Sequence, residues 1–404
     1  MERTIQNKIS FIEELLMFFF MCISGNPAFT SLGDFFKLSS VFFVILIFVA
    51  FGNNIENKKK KDMLKWGRFL VVIFIAQYIT LHDLTLLGSI NFVSKLYAAI
   101  LIASLLREKI SEVYFRVMYI ICLISLFFYV QNLMGIYYPA LEINKESANS
   151  LIIFTQYFEG DYVTGLVRNS GMFWEPGAFA GYIIVAFMLN IRNLDEVWRK
   201  HKQKCLILII ALLTTMSTTG YVAFSIVIVY FTKKIIRSRL VFFWAFFILF
   251  GAFFYLYVNS DFLGSKIESQ YQEALTQDDT DNNFSRFGTI VFDWQYIIEH
   301  PLFGNGLMAE TRYAKHLAYY DYDDLQAFGN GLTGIIASMG ILFFFTFLTA
   351  MYRNPTLPYK GQKIMLLLLF LLLLNGEQFM NYPLFMIFPF VNYNKLMPLD
   401  FQHK

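Results

Sequence analysis

The sequence predicts an all-α integral membrane protein with about twelve transmembrane helices and two long extracytoplasmic loops, forming one polytopic domain over 1–404. Three observations carry this. The 404 residues are 57% hydrophobic, include 47 Phe and have a mean hydropathy of +0.50, too apolar for a soluble chain of this length. Basic residues crowd the short connections between apolar runs. The two long polar loops, about 134–175 and 259–328, are instead acidic, with 5 acidic against 2 basic residues and 12 against 4.

The apolar runs place spans at about 11–30, 37–52, 66–82, 88–106, 114–133, 176–191, 205–218, 219–231, 240–258, 329–350, 364–380 and 383–397. The first opens with Glu13 and Glu14 and lacks a small-residue cleavage site, so an uncleaved span is expected. Basic clusters at Lys58–Lys61, Arg107–Arg116, Arg192–Lys204, Lys233–Arg239 and Arg353–Lys363 belong on the cytoplasmic side. They all fall there from a cytoplasmic N-terminus, provided that 205–231 passes twice or forms a re-entrant hairpin. Its 27 residues measure about 40 Å as one helix, short for two spans. The Ser217-Thr-Thr-Gly220 cluster nevertheless suits a tight turn, and two short helices meeting at Gly220 are expected. Pro27, Pro383 and Pro389 interrupt the first and last spans. No internal repeat is evident, which disfavours duplicated transporter folds. The cysteines, Cys22, Cys122 and Cys205, build neither a disulfide framework nor a metal-ligand spacing.

Both long loops carry cations beside aromatic residues and turns. In Arg168-Asn-Ser-Gly-Met-Phe-Trp-Glu175-Pro176-Gly177, Pro176 suits the first helical turn and Glu175 faces the positive end of the helix dipole. Arg168 can hold a phosphate through its planar fork. A desolvated Glu175 can act as a general base. The structural alternative is a capped helix entry beside a snorkelling arginine. From Phe284 the apolar residues follow helical spacing on one face, opposite Arg286, Asp293, Gln295 and Glu299, and Pro301 ends the run. This helix is expected at the membrane interface or capping the bundle. Arg286 at its start opposes the dipole unless an anion joins it. Farther on, Arg312 is a candidate substrate ligand and His316 a candidate proton acceptor. Tyr319 and Tyr320 can stack on sugar faces. In Asn375-Gly376-Glu377-Gln378, Glu377 is costly at membrane depth unless paired or facing water, and a loop arginine is its expected partner.

Three motifs then occur in order: R-x-x-G-x-F-x-E-P-G at Arg168–Gly177, a Ser/Thr-rich break at Ser217–Tyr221, and S-R-x-G leading through an amphipathic helix to H-P-L-F-G-N-G at Ser285–Gly306. Gly329-Asn-Gly-Leu and Gly340-Ile341 follow. Together, over about 165–345, they resemble the bacterial O-antigen polymerase (Wzy) family, within the O-antigen polymerase and ligase superfamily. The resemblance implies a membrane-embedded, GT-C-like architecture and a metal-independent inverting glycosyltransferase without a cofactor. It implies undecaprenyl-diphosphate-linked repeat units as substrates, a chain-length regulator as protein partner, no nucleic acid, and an active site on the periplasmic face of the inner membrane. Arg168, Glu175, Arg286 and His316 would be catalytic, and Arg312, Tyr319, Tyr320 and Glu377 substrate-binding. One departure favours polymerase over ligase: where ligases often carry a histidine before the asparagine, this chain has Gly329. The competing readings are an O-antigen ligase and a lipid-linked oligosaccharide flippase; a transporter would place its charges mid-span.

Overall fold

The computed structural model describes residues 9–30, 34–82, 86–136, 141–144, 148–151, 153–157, 167–235, 286–312 and 330–393. The expected span at 240–258 and most of the 259–328 loop therefore lie outside the described residues. Among the described residues, three helical stretches are long and apolar enough to cross a membrane: Asn57–Leu81, Leu86–Leu133 and Gly331–Tyr352. Shorter apolar helices accompany them at Leu38–Asn54, Pro176–Leu189 and Thr218–Lys233.

Helix α1 (Phe11–Cys22) starts at a capping box, in which Ser10 and Glu13 bond each other's backbone amides. The acids that open this apolar run are paired: Glu13 with Lys109 at 2.9 Å and Glu14 with Arg116 at 2.9 Å. A short α2 (Pro27–Thr30) follows a break at Ser24–Asn26. Next come α3 (Asp34–Phe51), α4 (Asn57–Leu81), α5 (Leu86–Leu106) and α6 (Ile110–Leu133).

Helix α7 (Pro176–Leu189) is the core of the bundle, with every residue from Ala178 to Leu189 buried. A helix that is apolar all round must be enclosed by others. Small residues let the neighbours in: a methyl group at Gly181 would meet the Phe379 ring, and one at Gly220 would meet Ala180 Cβ at 2.6 Å. The expected pair of helices after it is present as α8 (Leu194–Thr214) and α9 (Thr218–Ile235). They run antiparallel, since Trp198 packs on Phe231 at 5.7 Å at one end and Tyr221 donates to the Leu213 carbonyl at 2.6 Å near the other. Two details differ from expectation. The turn lies at 215–217, with Met216 at φ +48°, and Gly220 sits inside α9. Helix α8 also begins at Leu194 rather than near 205, kinking at His201. Its lysines extend the helix beyond the apolar run; Lys204 lies over the Tyr119 ring at 5.2 Å.

Helix α10 (Arg286–Glu299) splits its apolar residues between two sides. Val291, Trp294 and Ile298 are exposed, whereas Thr289, Phe292, Asp293, Tyr296 and Ile297 are buried. That orientation suits a helix bordered by lipid. The H-P-L-F-G-N-G segment after it closes a break in α12 (Gly331–Tyr352), where Gly340 adopts φ +78°. Asn305 and Gly306 donate to the freed carbonyls of Ala337 and Ser338 at 2.8 and 3.1 Å; Ile341 and Leu342 donate to Pro301 and Leu302 at 2.8 and 3.3 Å. The Asn305 amide also reaches Tyr296 and Ala337, and Gln77 from α4 bonds the Phe303 and Ser338 carbonyls at 2.6 and 2.9 Å. Asn305→Ala removes a buried donor from this latch and is expected to cost about 1–3 kcal/mol. The check is a lowered thermal midpoint in detergent.

The expected last span at 383–397 needs correction. After α13 (Lys360–Gly376), the chain returns through short 3-10 turns at Phe379–Asn381 and Pro383–Met386, and it is not an α-helix up to Tyr393. Pro383 and Pro389 deny it a continuous helix. Leu384–Phe388 are fully buried. Non-helical backbone at membrane depth is tolerated only where protein encloses it and satisfies its polar groups. Here Lys59 donates to the Phe390 carbonyl at 2.7 Å, Asn354 to Val391 at 2.9 Å, and Arg192 to Tyr393 at 3.1 Å. The Ser24 hydroxyl accepts from Leu384 N–H at 3.2 Å.

The all-α expectation also needs one addition. The 134–175 loop carries a three-stranded antiparallel meander, β1 (Leu141–Asn144), β2 (Ala148–Leu151) and β3 (Phe154–Tyr157). Phe154 stacks on Phe128 of α6 at 5.2 Å. Thr155 N–H donates to the Gly171 carbonyl at 2.7 Å, and the Ser170 hydroxyl donates to the Thr155 carbonyl at 3.0 Å. The sheet thus holds the Arg168–Gly177 segment against the bundle.

Candidate active site at the converging helix ends

Three helix N-termini meet around the C-terminal end of α13. They belong to α7 at Glu175–Pro176, α9 at Thr218 and α12 at Gly331. Glycines make the convergence possible. A methyl group at Gly177 would lie 2.9 Å from Glu175 Oε1 and 3.0 Å from Glu377 Oε1; one at Gly376 would lie 2.8 Å from Thr219 Cγ2; one at Gly331 would run into the Glu377 carbonyl oxygen. Two sequence-predicted carboxylates, 202 positions apart in the chain, therefore converge on one backbone position. Unsatisfied N–H groups and aligned dipoles make such N-termini favourable for anions.

Glu175 is the N-cap residue of α7, but its side chain makes no capping bond. The carboxylate is instead turned toward Gly177 and Glu377. The Tyr382 phenol is pushed above its ordinary range by burial and then by the charges of Glu377 and Glu175. Trp174 stacks on Tyr382 at 4.5 Å and occupies the space left by Gly25 in the α1–α2 turn.

Arg168 lies at the α8–α9 turn. Its Nε donates to the Thr215 carbonyl at 3.0 Å and its Nη2 to the Met216 carbonyl at 3.3 Å. Asn169 bonds the same turn through Thr214, by backbone at 3.0 Å and side chain at 2.9 Å. A cation here complements the negative C-terminal end of α8. The guanidinium thus braces the Ser/Thr-rich break as well as supplying positive charge near it.

Arg312, at the end of the short α11 (Ala309–Arg312), is buried and pairs with the fully buried Asp293 at 2.6 Å. The other Asp293 oxygen accepts the Thr333 hydroxyl at 2.6 Å. Gly334 leaves room for the guanidinium on the first turn of α12, where Asn330 caps the Leu332 and Thr333 amides at 3.0 and 3.1 Å. A small open cleft lies there, lined by Arg312, Gly331, Gly334, Gln378 and Asn381 with Ile335 and Met380.

The structure thus brings Glu175 and Glu377 together, sets Arg312 one helix end away, and places Arg168 on the adjoining turn. Arg286 begins α10 as expected, but its side chain lies outside the described residues, as do His316, Tyr319 and Tyr320. Sequence reasoning placed Asp293 on a polar helix face without a role, and it missed Asn330, Thr333, Gln378 and Asn381. Asp293 was legible in part: a carboxylate opposite a lipid-facing stripe has to find a buried cation. The amides carried no such signal.

Among curated proteins no match to the chain is found. Residues 205–348, from the middle of α8 through the kink of α12, match the family model described as O-antigen ligase, a likeness that supports the O-antigen polymerase and ligase superfamily.

Proposed function

We propose that the protein is a polysaccharide polymerase that lengthens a lipid-linked glycan at the periplasmic face of the inner membrane. The observation that supports this most is the meeting of three helix N-termini and paired carboxylates at the end of the bundle away from the Lys59 and Arg192 contacts. A hydroxyl of one lipid-linked repeat unit attacks the anomeric carbon of the growing chain. The bond from that carbon to the phosphate oxygen breaks, and undecaprenyl diphosphate leaves with the electron pair. Arg168 and Arg286 stabilise the charge that develops on the leaving diphosphate. Glu175, beside Glu377, takes the hydroxyl proton; His316 is the other proton acceptor that the sequence offers. Attack opposite the leaving group inverts the anomeric centre, and the scheme requires no metal. A chain-length regulator would act as protein partner.

The description of the matched family favours a second reading, an O-antigen ligase that transfers the finished glycan to lipid A core. Gly329, in the position where ligases often carry histidine, argues for the polymerase. Purified protein in liposomes, supplied with lipid-linked repeat units alone, is expected to yield a ladder of lengthened lipid-linked products. A preparation that makes no ladder, yet transfers the glycan to added core acceptor, would establish the ligase instead.

A further inference from the structure

Glu112 is a buried acid that the proposed mechanism leaves unused. It lies in the first turn of α6, in the connection between the spans expected at 88–106 and 114–133, at the bundle end that carries the basic clusters. The residue is 9% exposed, and its Oε1 is enclosed with no hydrogen-bond partner. Neighbouring acids are engaged: Glu13 holds Lys109 and Glu14 holds Arg116, each at 2.9 Å. At the α5–α6 turn Arg107 pairs with Glu56 at 3.2 Å. Three charged or titratable groups come from α8. The His201 ring packs on Phe115 at 6.2 Å, Lys200 pairs with Glu196 at 2.8 Å, and Lys204 lies over the Tyr119 ring at 5.2 Å. Helix α7 carries no charged residue.

A carboxyl group enclosed in this way disfavours its charged form unless a cation bonds it. Burial pushes the Glu112 carboxyl up to about 7, against the opposing pull of Arg116, Lys109 and Lys204, while Glu13 adds to the rise. His201 is moved down by burial and then by Lys204, Lys200 and Arg116, so it is neutral where Glu112 titrates. An unbonded Oε1 beside a lysine seated on an aromatic ring fits the protonated acid. Once ionised, the acid calls for an ammonium, and the flexible stem of Lys204 can exchange the ring for the carboxylate. Helix α8 can bend to bring it, because the helix is already broken at His201, with φ −128° and ψ 36°. Both helices that lead to the candidate site touch this place. Ser111, next to Glu112, donates to the Leu189 carbonyl at the end of α7 at 2.7 Å, and α7 begins at Glu175. Helix α8 ends at the turn that Arg168 braces.

We propose that Glu112 and Lys204 form a proton-operated contact between α6 and α8, in which loss of the Glu112 proton to water draws Lys204 from Tyr119 onto the carboxylate and rebends α8 at His201. That this bend regulates product formation rests on the polymerase reading; the contact itself does not. Spin labels at Glu108→Cys and Lys202→Cys, both exposed, report the distance across it, since Cys22, Cys122 and Cys205 are buried. Pulsed EPR on the full chain in detergent would compare about pH 6 with about pH 8, either side of the Glu112 value. The distance is expected to shift in the labelled wild type and to stay fixed when Glu112→Gln is added. A distance that ignores pH in the labelled wild type overturns the proposal, as does a shift that survives Glu112→Gln. The thermal midpoint checks the sign. An acid raised in the folded state stabilises the fold below its unfolded value and loses that contribution as pH rises through the folded one. From about pH 4.5 to about pH 7 the wild type should therefore fall progressively behind Glu112→Gln, with a constant gap above. Parallel midpoints across that window also overturn the proposal. In liposomes, a ladder whose rate follows pH at the Lys204 face in wild type but not in Glu112→Gln supports regulation, and a rate indifferent to pH in both overturns it. A pH-sensitive distance in a protein that makes no ladder removes the polymerase reading and leaves the contact standing.

Discussion

Arg168→Ala is expected to abolish long-chain polysaccharide in cells that depend on this protein, while the chain still inserts. The loss in turnover should be about 10²–10³, the scale of removing one group that stabilises developing charge. The geometry adds a second consequence. The guanidinium donates to the Thr215 and Met216 carbonyls, so alanine also takes this donor from two acceptors at the α8–α9 turn and should lower the thermal midpoint. Arg168→Lys separates the two roles. An ammonium can return to one carbonyl and recover part of the stability, but it cannot reproduce a planar fork on a phosphate. Lysine should therefore restore the midpoint better than the product ladder. The ladder is read on a gel and the protein level by immunoblot. A normal ladder from the alanine variant removes Arg168 from the mechanism.

Gly331→Ala should be strongly damaging. The added carbon would run into the Glu377 backbone carbonyl, with Gln378 Cα at 2.7 Å behind it. Neither backbone is at liberty to move. Asn330 holds the first turn of α12 and also bonds Asn375 at 3.0 Å. The overpacking should cost about 1–3 kcal/mol, and relief by separation would draw Glu377 away from Gly177 and open the Arg312 cleft. Both stability and product formation are expected to fall. Gly361→Ala provides the contrast, because nothing lies within 4 Å of a methyl group there. It sits in the exposed first turn of α13 and should be neutral or gain about 0.4–1 kcal/mol. Equal midpoints for the two alanine variants would refute the steric assignment.

Much of the helical layout was legible because hydrocarbon imposes one simple rule on the chain. Runs such as Leu86–Leu106 and Gly331–Tyr352 read directly from hydropathy. Charge parity was informative beyond hydropathy, since it required two helices where 205–231 looked long enough for one. The return segment was not legible: Pro383-Leu-Phe-Met-Ile-Phe-Pro389 is as apolar as a helix, and only its neighbours reveal how its backbone bonds are met. The meander at 141–157 was also missed, because its strands are four residues each and lie in a loop read only by charge. In the candidate site, Glu175, Arg312 and Glu377 stood out because charges at a membrane boundary need partners. Which partners they take could not be read, since Arg312 finds Asp293 rather than Glu377 through tertiary packing.

The route of the chain after Gly376 bears on how the protein is made. A stretch with unpaired peptide groups cannot partition into hydrocarbon by itself. Residues 383–393 must therefore be laid into a bundle whose earlier helices already offer Ser24, Lys59, Arg192 and Asn354. Glu377, Gln378 and Asn381 belong to the same stretch, so the candidate site lacks one wall until 383–393 has packed. Closing the bundle and completing that wall are thus a single step.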